Sequence, residues 1–165
     1  VNLSTQNALG LEFNFSYDIA KWWRLSANAN LYHAITEGEY EGQNLNSDTY
    51  TMNGRFSTKF EILKKYDLQV SFNYRAPEQT TQGRRKSRYN LDFGLSRDLL
   101  KGNGTLTLSA RDIFNTRARR MITETETLYN ETEFLWRSRQ ITLSFSYRLR
   151  QKKKRGGDNI GGGDF

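Results

Sequence analysis

His33 is the only histidine in this sequence, and there is no cysteine. Transition-metal sites need several imidazole, thiolate or carboxylate ligands brought together. His33 has no evident ligand partner near it, so no metal site is expected there. Glu124, Glu126, Glu131 and Glu133 cluster in one polar stretch. Such carboxylates could bind cations or bridge to a surface polysaccharide through a divalent metal. Solvation of a loop is the default reading of a charge run. Carboxylates that cleave glycosides must stand at a defined separation, which spacing in sequence does not supply. There is no nucleophile elbow, P-loop or dinucleotide fingerprint. The segment "GGDNIGGGD" faintly resembles one imperfect copy of a calcium-binding glycine repeat, and a flexible end is the better reading. Lys152, Lys153, Lys154 and Arg155 form a basic run without the interleaved aromatics of a nucleic-acid surface. The expectation is a protein that is not an enzyme, holds no cofactor and binds no nucleic acid.

What the sequence does repeat is partition between oil and water. Near the C-terminus, Ile141, Leu143, Phe145, Tyr147 and Leu149 alternate with Thr142, Ser144, Ser146 and Arg148. A period of two means a strand with one apolar and one polar face. The pattern recurs in Leu9, Leu11, Phe13, Phe15 and Tyr17, and in Trp23, Leu25, Ala27, Ala29 and Leu31. It returns in Tyr50, Met52, Gly54, Phe56, Thr58, Phe60 and Ile62, and in Leu68, Val70, Phe72, Tyr74 and Ala76. Tyr89, Leu91, Phe93 and Leu95 make a fifth run, and Leu106, Leu108 and Ala110 a sixth. There the parity breaks: Asp112 falls on the apolar side, and a β-bulge is the simplest account.

Seven antiparallel strands are therefore predicted, each near the 9–11 residues that a tilted membrane strand needs. Their connections alternate in length. Short turns lie around Asp18–Lys21, in "LKKY" and in "DLLKGNG". Long polar segments lie at Thr36–Asp48, Pro77–Lys86 and Arg117–Glu133, the last read as a long polar hairpin. Tight turns at one rim and larger loops at the other describe an up-and-down outer-membrane meander.

Composition fits this better than it fits a soluble core. Only 36% of the 165 residues are hydrophobic, yet 13% are aromatic, which argues against disorder. In a membrane barrel only alternate strand residues meet lipid, so low overall hydrophobicity is no obstacle. The polar face is mainly Ser, Asn, Thr and Gln, with isolated charges such as Arg55, Lys59, Asp92 and Arg111. The expected lipid-facing residues are Leu11, Phe13, Phe15, Leu25, Phe56, Phe60, Val70, Phe72, Leu91, Phe93, Leu108, Leu143 and Phe145. Tyr17, Trp22, Trp23 and Tyr66 would form one aromatic girdle. Tyr32, Tyr50, Tyr74, Tyr89 and Trp136 would form the other, since amphipathic rings favour the headgroup region. Strand by strand, a soluble barrel or sandwich with an aromatic core reads the same way. Loop asymmetry and aromatic placement together favour the membrane.

The last third carries a more specific signal. "DIFNTR" (Asp112–Arg117), "WRSR" (Trp136–Arg139) leading into the final strand, and the basic Gly-rich tail ending in Phe165 resemble the end of a TonB-dependent receptor barrel. The branch is that of the outer membrane β-barrel family proteins. The resemblance covers residues 109–165; earlier strands match in pattern alone. It implies a C-terminal segment of a larger barrel whose plug and TonB-engaging motif lie elsewhere. As an isolated piece, such a segment is expected to be an open, curled sheet over residues 1–150, with a periplasmic tail over 151–165. The start, "VNLSTQNALG", reads like the interior of a longer chain.

The partners the resemblance implies are outer-membrane lipid, the barrel assembly machinery, the TonB complex and a scarce ligand of siderophore, glycan or peptide class. The final strand, Ile141–Leu149, resembles the signal that the assembly machinery reads by strand addition. It could equally be an ordinary last strand. The ligand-binding residues are unknown, within the three long loops. A non-transporting adhesion or assembly barrel, an outer-membrane hydrolase and a soluble β-barrel binding protein are the alternatives.

Overall fold

The computed structural model describes residues 4–40, 43–44, 46–125, 127–135 and 139–149. The protein is built from antiparallel strands. β1 (Ser4–Ala20), β2 (Trp23–Tyr40), β4 (Ser47–Ile62), β5 (Tyr66–Arg75), β8 (Arg88–Leu99), β9 (Gly104–Arg111) and β12 (Gln140–Tyr147) lie side by side in chain order. The short β3 (Gln43–Asn44) pairs with β2 and completes an eight-stranded sheet. The seven alternating runs of the sequence are the seven strands of this path.

Register turns the alternation into faces. Phe15 stands opposite Ala27, Ala27 opposite Phe56, Phe56 opposite Phe72, and Phe72 opposite Leu91. Nearer the short turns, Trp23, Phe60, Leu68, Leu95, Leu108 and Leu143 form another row. The opposite face carries Ser16, Ser26, Ser57, Ser71 and Asp92 in one row. A one-residue slip would move every side chain to the other face; the register shifts only at the turn end of β1, between Asp18 opposite Arg24 and Ala20 opposite Trp23, beyond these rows.

The alternating connection lengths have a structural counterpart. β1–β2, β4–β5 and β8–β9 are joined by tight turns, the last containing a 3₁₀ turn at Leu100–Gly102. Leu63, Lys64, Leu100 and Lys101 adopt positive φ in these turns. The other end of the sheet holds more structure than expected. The segment after β5 forms a hairpin of β6 (Glu78–Thr80) and β7 (Gly83–Arg85). The segment after β9 forms the hairpin expected there, of β10 (Arg119–Glu124) and β11 (Tyr129–Phe134). The two hairpins pair through β7 and β10 into a four-stranded sheet, β11-β10-β7-β6.

Three expectations need correction. The sheet is open, but it is not strongly curled. Tilt and shear become fixed when a barrel closes, and β1 and β12 are not paired with each other. β1, β2 and β4 have 17, 18 and 16 residues, beyond the expected 9–11. Their backbones stay paired past the end of the apolar pattern, out to Ser4 opposite Gly38. Finally, no bulge interrupts β9. The strand stops at Arg111 and the chain turns, with Asp112 and Asn115 at positive φ.

Candidate functional site

The apolar face has no layer packed on it. Phe13 is 55% exposed, Phe56 45%, Phe72 40% and Phe145 56%. The buried apolar residues among those described are Ala34, Ala118 and Ile122, and no large side chain is fully buried. Leu11, Phe13, Phe15, Leu25, Phe56, Phe60, Val70, Phe72, Leu91, Phe93, Leu108, Leu143 and Phe145 all share this face.

Aromatic rings gather at its two ends. Toward the short turns, Trp22, Trp23 and Phe60 stack with centroids 5.5–6.4 Å apart. The Trp23 indole donates to Thr58 Oγ1 at 2.9 Å, and the Arg97 guanidinium lies 5.0 Å over the Tyr66 ring. Tyr17 shares the face, opposite Leu25. Toward the loops, Tyr74 stands opposite Tyr89, and the His33 ring lies parallel to Tyr50 at 4.0 Å. His33 Nε2 is 2.6 Å from Asp48 Oδ1. Tyr32 departs from the expected girdle: it lies on the polar face, opposite Gly10 and Thr51. Its even number in β2 sets that parity. Trp136 falls outside the described residues, as does the tail over 151–165.

The polar face bonds to itself. Asn28 Nδ2 donates to Asn14 Oδ1 at 2.5 Å, and Asn30 Nδ2 to Asn53 Oδ1 at 3.1 Å. The Ser57 and Ser71 hydroxyls are 3.1 Å apart. Such neighbours satisfy one another across strands. Asn14, Asn28 and Ser57 also line a shallow concavity with Arg55.

"DIFNTR" has a structural explanation. The Asp112 carboxylate is buried and accepts from two backbone amides, Oδ1 from Thr116 N at 2.9 Å and Oδ2 from Arg117 N at 3.0 Å. The Asp112 amide donates to Asp92 Oδ1 at 2.9 Å. Thr116 Oγ1 also donates to Tyr89 O at 2.7 Å, and Ile113 N to Leu91 O at 2.9 Å. Arg139 N donates to Asn115 Oδ1 at 3.0 Å. The motif fastens the end of β9 to β8 and launches the second loop hairpin.

At the loop end, cations that sequence reading left as scattered loop charges come together. Arg75, Arg85, Lys86, Arg88 and Arg119 line one hollow. Arg88 lies on the loop side of Tyr89. Burial pushes its guanidinium below the ordinary arginine value, and the nearby Arg117, Arg75, Arg119 and Arg85 push the same way. No signal in one segment could have revealed this grouping, because it depends on two hairpins meeting. Two glutamates of the second hairpin make separate pairs. Glu131 meets Lys86 at 2.5 Å and Glu133 meets Arg120 at 3.2 Å. Glu126 is outside the described residues. Among the described residues, no group of three or more His, Asp or Glu could hold a metal ion. None of their helices is long and apolar enough to cross a membrane, which leaves crossing by strands untouched.

An antiparallel meander with one uncovered apolar face, one self-bonded polar face and loops segregated to one end defines the class: an all-β sheet of outer-membrane type. The chain belongs to the outer membrane protein beta-barrel family, whose model matches residues 1–147. No curated protein and no solved structure matches it.

Proposed function

We propose that this chain is part of the wall and outer loops of a TonB-dependent outer-membrane receptor that takes up a scarce ligand. The observation that carries the reading is the uncovered apolar face opposite a polar one. Burying one Leu or Phe side chain is worth about 1.5–3 kcal/mol. A soluble domain has only about 5–15 kcal/mol of stability in all. A face bearing this many half-exposed aromatics therefore calls for a hydrocarbon solvent. On this reading Phe13, Phe56, Phe72, Phe93 and Phe145 face lipid, and the Ser and Asn rows face water inside the barrel.

The two edges support a larger barrel. β1 and β12 each have one side without a neighbour among the described strands. In lipid, every backbone polar group needs a partner, so further strands would pair at both. The plug and the TonB-engaging motif would belong to that larger protein. The short turns would lie in the periplasm, where the chain leaves β12. The free side of β12, with Leu143 and Phe145, suits capture by the assembly machinery through strand addition.

Uptake by cells carrying the intact protein, assayed for siderophore, glycan and peptide classes, tests this. The expected result is accumulation of one class that stops when proton-motive force is collapsed. Uptake that is indifferent to proton-motive force would remove the TonB assignment. Partition of the protein into buffer without detergent would remove the membrane assignment as well.

A further inference from the structure

Five cations meet where the two sheets join. Arg75 ends β5, Arg85 ends β7, Lys86 follows it, Arg88 opens β8 and Arg119 opens β10. The hollow they line has a volume of about 150 Å³. Charge compensation there is incomplete. Glu78 Oε2 accepts from both Arg75, at 3.0 Å, and Arg85. Glu131 holds Lys86. Arg88 and Arg119 have no carboxylate partner among the described residues. Two carboxylates thus face five cations. The Nε atoms of Arg75 and Arg85 are also buried without an acceptor.

Nothing in strand pairing requires this crowding. Like charges gathered round one hollow repel, and unpaired buried donors destabilise. Rigid guanidinium forks do suit tetrahedral oxyanions, which accept two parallel N–H bonds from each. A lone carboxylate would leave most of the excess charge unmatched, whereas a phosphate carries more charge and more acceptors. We propose that this hollow binds the phosphate group of a ligand. Arg75 and Arg88 stand opposite each other in the β5–β8 register, on the face that carries Asn73 and Asn90. The phosphate therefore arrives from the water side at the loop mouth, on a solute. A lipid headgroup phosphate is the other source of the same chemistry. This inference rests on the receptor reading above, and direct binding separates the two because it needs no uptake.

The test uses the intact protein, purified in detergent in phosphate-free, low-salt buffer and titrated calorimetrically with inorganic phosphate. Arg88→Gln/Arg119→Gln removes the two arginines that have no carboxylate partner. Saturable binding is expected, with affinity at least about tenfold weaker in the double variant. Lys21→Gln, in the β1–β2 turn, is expected to bind as wild type does. Without phosphate the double variant is expected to unfold at no lower temperature than wild type, since repulsion is relieved; this separates lost binding from lost folding. A second arm offers phosphatidylcholine vesicles with and without lipopolysaccharide. Lipopolysaccharide-dependent capture that inorganic phosphate competes away would support the phosphate site and assign its source to lipid. No capture alongside phosphate binding would assign it to a solute. Absence of saturable phosphate binding, or equal binding by wild type and double variant, overturns the proposal.

Discussion

At Gly83 a single methyl group decides whether the two loop hairpins join. Its φ is +140°, and a Cβ there would lie 2.0 Å from Ile122 O. Gly83→Ala is expected to separate β7 from β10 while leaving the main sheet intact. Hydrogen exchange checks this: the Glu124 amide, bonded to Gln82 O at 2.9 Å, loses protection, and amides of β4 and β5 keep theirs. Asp112 is the second sensitive position. Asp112→Ala leaves the Thr116 and Arg117 amides without their acceptor and puts alanine at positive φ. A loss of about 2–4 kcal/mol in denaturant unfolding is expected. Asp112→Asn keeps one acceptor oxygen and is expected to lose less. The sequence marked Asp112 as a break in parity, which was correct. Alternation alone cannot distinguish an inserted residue from a strand that ends, so the bulge expected there is a turn.

Among elements, legibility followed side-chain pattern. β5 was readable because Leu68, Val70, Phe72 and Tyr74 alternate with Gln69, Ser71 and Asn73. β10 and β11 were foreseen as a polar hairpin. β6 and β7 were read as loop because Glu78–Thr80 and Gly83–Arg85 carry no apolar side chain. Pairing there is sustained by backbone bonds and ion pairs, which leave no period in sequence. For the same reason the loopward ends of β1, β2 and β4 outrun the apolar pattern. The hollow between the hairpins was illegible, since its five cations come from separate elements.

One of those ion pairs gives the hairpin sheet a pH dependence. The hydrogen bond and charge of Lys86 hold the Glu131 carboxyl below its ordinary value. A depressed folded-state pKa contributes stability above the unfolded value, near 4.3, which fades as pH falls through the folded one. Protection of the Lys86 amide, bonded to Arg120 O, is expected to be level above about pH 5 and to decline as pH falls below the ordinary carboxylate range. Glu131→Gln is expected to remove that decline. A Glu131→Gln profile identical to wild type would show that the pair does not fasten the hairpins.

For the whole molecule, the fold and the functional reading depend on one property, the direction in which the apolar face looks. These 165 residues contain no cysteine, so a single cysteine placed on β5 for spin labelling competes with none in this part of the chain. Labels at 70, 71, 72 and 73 on β5, in the intact protein reconstituted in lipid, report collision with oxygen, enriched in hydrocarbon, and with a water-soluble nickel chelate. A period of two is expected. Positions 70 and 72 should collide mainly with oxygen, and 71 and 73 with the chelate. Uniform accessibility along the strand, or shielding of 70 and 72 from both reagents as in a sealed protein core, would contradict it.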